Sequence, residues 1–95
     1  MSTPALVVIV YDVTDDARRG RLHALLKQYG VPVQKSAFEA RLTPAERSRL
    51  LERVAPLLQP TDRFVMYAVP ASHEPQIAEL GVPRPRVLVP RYYVV

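Results

Sequence analysis

The sequence predicts an α+β plait, with two helices on one face of a small β-sheet. Three observations predict it. Residues 5–13 (ALVVIVYDV) and 62–69 (DRFVMYAV) are dense β-branched and aromatic runs, which read as strands. A leucine stripe at helical spacing follows each of two helix-start signals. The patterns alternate strand, helix, extended segment, helix, strand.

The first strand is apolar on both faces, as a central or interface-covered strand must be. Thr14, Asp15 and Asp16 then supply a helix start, with anions at the positive end of the dipole. That helix runs to about Tyr29. Leu22, Leu25, Leu26 and Tyr29 fall at i, i+3, i+4 and i+7, and Gly30 reads as its C′ stop. Residues 31–42 (VPVQKSAFEARL) are extended, either as one kinked strand or as two short ones, and Pro32 places the beginning at an edge or bend. Thr43, Pro44 and Glu46 form a capping box with proline at the first helical position. Leu50, Leu51, Val54, Leu57 and Leu58 make the apolar stripe of the second helix, and Pro56 loosens its last turn. After the third strong strand the composition changes, and five of the ten prolines lie between 70 and 90. Residues 73–80 suit one short helical turn. Arg86 to Pro90 and Tyr92 to Val95 read as extended pieces.

This order, β-α-β-(β)-α-β, is that of a ferredoxin-like plait. Its 95 residues allow one domain, with a plait over 1–70 and a proline-rich segment over 71–95. A tail ending YYVV is expected to add to a sheet edge, its own or that of a second copy. Exchange of such tails gives a symmetric dimer.

Composition narrows the function. No cysteine is present, which excludes disulfides, thiolate metal sites and a cysteine nucleophile. The net charge is +4, and 11 of the 13 cationic residues are arginine. Arginine presents a planar fork of donors that matches phosphate, so nucleic acid is the first partner to consider. The apolar run near the N-terminus is too short to span a bilayer, and the expectation is a cytoplasmic protein with no membrane partner. No phosphate-cradling glycine loop, zinc-protease motif or nucleophile elbow occurs. His23 and His73 stand outside any metal-ligand spacing and read as surface or partly buried residues.

Asp12 is the outlier. It ends an apolar strand just before a helix, and a carboxylate there must be paired, hydrogen-bonded or metal-bound. A helix-capping role or a nearby arginine would satisfy it equally. One carboxylate alone is a sparse Mg²⁺ site, and a symmetric dimer would supply a second Asp12. Arg18, Arg19 and Arg21 follow within two helical turns. Arg18 lies in line with the leucine stripe and is expected to point toward Asp12. Cations in a first turn oppose the helix dipole, so acidic neighbours or an external phosphate should compensate. Tyr11, Phe38 and the Arg91-Tyr92-Tyr93 cluster mix aromatic and cationic character, as a nucleic-acid surface or a dimer interface does.

Several of these residues form a family pattern. Tyr11-Asp12, the Thr14-Asp15-Asp16 turn, Arg19-x-Arg21-Leu22, Tyr29-Gly30 and the stretch Val33 to Glu39 (VQKSAFE) resemble the CRISPR-associated protein two family over about the first 42 residues. The later elements follow the family's layout. One departure is Ala37, where the family commonly carries a larger residue. Pro83, Pro85 and Pro90 stiffen the tail relative to a plain strand.

The resemblance implies a ferredoxin-like homodimer whose C-terminal strands add to the partner's sheet. It implies phosphodiester cleavage of RNA or DNA with Mg²⁺ at Asp12. Tyr11, Arg19, Arg21, Ser36 and Phe38 match positions associated with that activity. It also implies a CRISPR-associated integrase as partner, in spacer acquisition and antiviral defence.

Two functional readings follow. In the first, paired Asp12 residues hold Mg²⁺, Tyr11 and Ser36 complete the catalytic set, and Arg18, Arg19, Arg21 and Phe38 hold the nucleic acid. In the second, the dimer is a non-catalytic adaptor that bridges integrase dimers and grips duplex DNA through phosphate contacts. A ligand-binding regulator of the same fold is a third class.

Overall fold

A computed structural model describes residues 3–81 of the chain. Four strands and two helices follow in the order β1 (Ala5–Asp12), α1 (Asp16–Leu26), β2 (Gly30–Gln34), β3 (Ala37–Leu42), α2 (Pro44–Val54) and β4 (Arg63–Val69). Short 3₁₀ turns occupy Ala55–Leu57 and Ala71–Gln76. The sheet order is β2-β3-β1-β4, and every neighbouring pair is antiparallel. Each helix thus crosses between two strands separated by a third, the split-βαβ arrangement of the ferredoxin-like plait. The segment 31–42, open to two readings from sequence, forms two strands joined at Lys35 and Ser36. Pro32 sits on the edge strand β2, where its missing N–H costs no ladder bond. The proposed tail strands at Arg86 to Pro90 and Tyr92 to Val95 lie outside the described residues.

The two faces of the sheet differ. Val7, Ile9, Tyr11, Phe38, Ala40 and Leu42 point toward the helices, where they meet Leu22, Leu25, Leu26, Tyr29, Leu50 and Val54. Period 2 on the strands and period 3.6 on the helices bring these positions together. Leu57, Leu58, Phe64 and Met66 pack on the same cluster, half-buried. Leu51, expected in the second stripe, is 44% exposed, because the face that meets the sheet centres on Leu50 and Val54. The capping box forms as expected: Glu46 N–H donates to Thr43 Oγ1 and Thr43 N–H donates to Glu46 Oε1, at 3.2 and 2.7 Å. On the helix-free face, Arg41 forks onto Glu74 at 2.6 and 2.8 Å and pins the second 3₁₀ turn. Val10 and Tyr67, on that same face by alternation, stay 43% and 56% exposed.

Gly30 has a different role from a helix stop. α1 ends at Leu26 with Lys27 as its cap, and Gly30 opens β2 in ordinary extended backbone. A Cβ at Gly30 would stand 2.2 Å from the Glu39 carbonyl oxygen and 2.8 Å from the Ala40 Cβ. The glycine is required by close approach to β3. Gly20, by contrast, has open space around it in the middle of α1.

These two glycines therefore respond oppositely to alanine. Gly30→Ala is expected to cost about 1–3 kcal/mol through backbone displacement. Gly20→Ala is expected to add up to about 1 kcal/mol through helix propensity. Urea unfolding of both variants checks the pair, and a neutral Gly30→Ala would contradict the close β2–β3 packing.

Candidate active site at the carboxyl end of the first strand

Three pieces of chain meet where β1 ends. Strand alternation turns Tyr11 toward the helices, 3% exposed, and leaves Asp12 exposed on the other side. Asp15 then caps α1, its Oδ2 accepting the Arg18 backbone N–H at 2.9 Å. The third piece is the β2–β3 turn. Tyr11 N–H donates to the Ser36 carbonyl at 3.1 Å and draws Lys35 and Ser36 against the strand end.

Together they border an open cleft of about 540 Å³. Asp12, Arg19, His23, Lys35 and Ser36 line it, with Tyr11 at its inner wall. Arg19 donates to the Val13 carbonyl at 2.8 Å and pairs with the Asp16 carboxylate. Its positive charge is thereby held at the mouth of the cleft. Burial raises the Tyr11 phenol above its ordinary value, and the Arg19 charge offsets part of this. Tyr11 therefore stays a protonated donor at neutral pH.

The structure brings Tyr11, Asp12, Arg19 and Ser36 into this one cleft. It sends three other expected residues elsewhere. Arg18 does not reach toward Asp12. Its guanidinium forks onto Asp62 with both contacts at 3.0 Å. The Asp62 side chain has no exposed surface and demands a cationic partner, which is why Arg18 turns to the loop before β4. Arg21 lies two residues past Arg19, on a side of α1 away from the cleft, and is exposed. Phe38 is fully buried, so no ring face is open to stack on a base. Its ring floors the site, with its centroid 6.3 Å from that of Tyr11 and edge-on to His23 at 5.1 Å.

His23 is the residue that sequence reasoning passed over. It stands four residues after Arg19, so one helix face carries both into the cleft. That spacing was the available signal. An imidazole there gives the site a group able to take or give a proton.

The model of the family described as CRISPR associated protein Cas2 matches residues 5–76, a span that contains every residue of the cleft. The chain belongs to the Cas2 family. A CRISPR-associated endoribonuclease Cas2 of Methanospirillum hungatei is 36% identical over 75 residues, covering 79% of this chain and 84% of that protein. Among solved structures, the crystal structure of a hypothetical protein from Thermus thermophilus is similar with a TM-score of 0.77 and 38% identity, covering 87% of this chain and 99% of that one. A chain from a partial Cas6-RT-Cas1–Cas2 complex is similar with a TM-score of 0.63 and 26% identity, covering 88% of this chain and 99% of that one. These Cas2 likenesses agree with the ferredoxin-like plait read from the sequence.

The cleft also tests the implied Mg²⁺. That ion usually keeps several waters and takes one or two carboxylates. The cleft holds two, Asp12 and Asp16, and Arg19 engages Asp16. Among the described residues no three His, Cys, Asp or Glu side chains gather as a metal cage. The donor set therefore fits a hydrated ion to which this chain gives Asp12 alone.

The Arg18–Asp62 pair predicts an acid response. The Arg18 hydrogen bonds, and then the Gln59 N–H at 2.9 Å, hold the Asp62 carboxyl below the unfolded value of 3.8. A depressed value means stability that is fully present above 3.8 and is lost as the pH falls through the folded value. Asp62→Asn is expected to melt lower than wild type at neutral pH, with the gap closing as the pH falls below 3.8. A gap that stays constant over that range would contradict the pairing.

Proposed function

We propose that this protein is a metal-dependent endoribonuclease of the CRISPR spacer-acquisition machinery, with Asp12 as its central carboxylate. The observation that carries the reading is the placement of Asp12. It is an exposed carboxylate on rigid strand, at the rim of a cleft that also presents Arg19, His23, Lys35 and Ser36. The endoribonuclease name of the Methanospirillum hungatei relative supports the activity. The likeness to a chain of a Cas1–Cas2 complex supports the CRISPR integrase as partner, and a cytoplasmic place of action is part of the same reading.

The reading includes a second copy of the chain. Val8, Val10, Val65 and Tyr67 share the helix-free face, and Asp12 stands on it by alternation at one end. A twofold axis through that face would bring two Asp12 carboxylates toward one another. Beyond the 3₁₀ turn at Ala71–Gln76, the extended pieces at Arg86 to Pro90 and Tyr92 to Val95 would then add to a sheet edge, completing a single domain over residues 1–95. No helix among the described residues is long and apolar enough to cross a membrane.

The residues divide the work. Asp12 from each copy would hold Mg²⁺. When bound, that ion supplies charge that offsets the charge building on the scissile phosphate. Arg19 and Lys35 hold cationic groups at the cleft mouth, where they attract and orient the flanking phosphates. The Ser36 hydroxyl offers a rotatable donor and acceptor beside them. Tyr11 keeps its proton and fixes the position of the β2–β3 turn through its backbone N–H. Phe38 seals the floor against water from below.

Asp12→Ala is expected to lower Mg²⁺-dependent cleavage of labelled RNA by about a hundredfold or more. The melting temperature and oligomeric state should remain those of wild type, because Asp12 is exposed. Parallel purification and an EDTA control exclude a contaminating nuclease. A variant that cleaves as wild type does would overturn the assignment of Asp12.

A further inference from the structure

The two helices face each other across a second feature, remote from the Asp12 cleft. Two adjoining hollows of about 270 and 330 Å³ run between α1 and α2 and share Gln28 and Arg53. Arg21 lines one end and Arg49 the other. On α1, positions 21, 24, 25 and 28 make one face. On α2, positions 46, 49, 53 and the following Leu57 make the opposing one. Arg49 and Arg53 stand one helical turn apart, about 6 Å along the axis.

The charges in this groove differ from those of Arg18, Arg19 and Arg41, although Arg47, which donates to the Leu42 carbonyl, and Arg63 also form no ion pair among the described residues. Arg18, Arg19 and Arg41 each meet a carboxylate, those of Asp62, Asp16 and Glu74. Arg53 is held by neutral groups instead. It donates to the Tyr29 hydroxyl at 2.7 Å and to Gln28 Oε1 at 3.3 Å, and its guanidinium carbon lies 5.5 Å from the centre of the Tyr29 ring. Its direction is set by neutral groups, and no carboxylate among the described residues forms an ion pair with it. Arg21 and Arg49 are exposed, and among the described residues no carboxylate forms an ion pair with either. The one acid lining the groove, Glu46, has an oxygen engaged by the Thr43 N–H of the capping box. Three arginine forks, one of them pre-oriented, thus line one groove.

We infer that the groove between α1 and α2 is a second nucleic-acid site, in which Arg21, Arg49 and Arg53 bind the phosphodiester backbone. The inference rests on the reading of the protein as a nucleic-acid enzyme, but it assigns a site separate from the Asp12 cleft. Bidentate guanidinium-to-phosphate contacts need no particular base, so the site takes duplex or single strand without sequence preference. A strand held here is gripped on the helix side while the cleft lies at the strand ends.

The test measures binding of labelled duplex DNA and of single-stranded RNA as a function of salt. It uses the full chain with Asp12→Ala as the background, so that RNA is not consumed. The variant is Arg21→Ala with Arg49→Ala, both exposed, and Arg53 is kept because it also supports Tyr29. A charge-matched control, Thr3→Glu with Thr61→Glu, alters net charge equally at exposed positions outside the groove. The groove variant is expected to lower the slope of log affinity against log salt by about 2 and to weaken binding roughly ten- to fiftyfold at 0.1 M salt. The control should keep the slope of the background, and all three proteins should melt alike. Whichever nucleic acid loses more affinity is the one the groove takes. A groove variant whose slope and affinity match the charge-matched control overturns the inference, including the case in which the groove serves an acidic protein surface. Failure of the functional reading looks different: the background protein then binds neither nucleic acid.

Discussion

The forked pair between Arg18 and Asp62 sets the rotation of α1, and the placement of the chemistry depends on that rotation. Asp62 has no exposed side-chain surface, so its charge must be met inside the fold. The Arg18 fork meets most of it, and the Gln59 and Thr14 backbone N–H groups meet the rest. With Arg18 fixed on the loop before β4 and Leu22, Leu25 and Leu26 buried against the sheet, the phase of α1 is set. A step of 100° carries Arg19 into the cleft beside Asp12, and two further steps carry Arg21 out to the groove against α2. Three arginines within four positions thus have three separate destinations.

The same geometry separates two kinds of cationic site. At the cleft, Arg19 is neutralised in part by Asp16 and held by the Val13 carbonyl. It lies close to a carboxylate that would carry a metal, and its pairing with Asp16 weakens its competition with that ion. Between the helices no such ion is needed, and the arginines there keep their charge. Chemistry and grip place opposite demands on arginine, and the fold meets them on two faces of one helix.

Much of this was legible in the residues alone. Leu22, Leu25, Leu26 and Tyr29 form the buried stripe that their spacing indicates, and Thr43 with Glu46 forms the capping box. These signals are local: a helix period or a cap depends on residues within one or two turns. The likeness of Tyr11-Asp12 and the following residues to the family also held over residues 5–76. What escaped is what depends on distant chain. Gly30 looked like a helix stop because glycine serves there so often, but the constraint comes from the Glu39 carbonyl across the sheet. The leucine stripe aims Arg18 at Asp12, and nothing near it in sequence reveals that Asp62, 44 positions on, is buried. In sequence Phe38 suits a nucleic-acid surface or a dimer interface, while its cross-strand partner Ile9 places it in the core. His23 was set aside for want of a second ligand, although its i+4 spacing from Arg19 put both on one face.

In the proposed dimer, Asp12 from two copies forms one divalent-cation site. The most direct test is a calorimetric titration of the purified protein with Mg²⁺ or Mn²⁺, beside sedimentation of the same samples. The account predicts one ion bound per two chains, in a dimer, with binding lost in Asp12→Asn while the dimer persists. One ion per chain, or unchanged binding in Asp12→Asn, would contradict it.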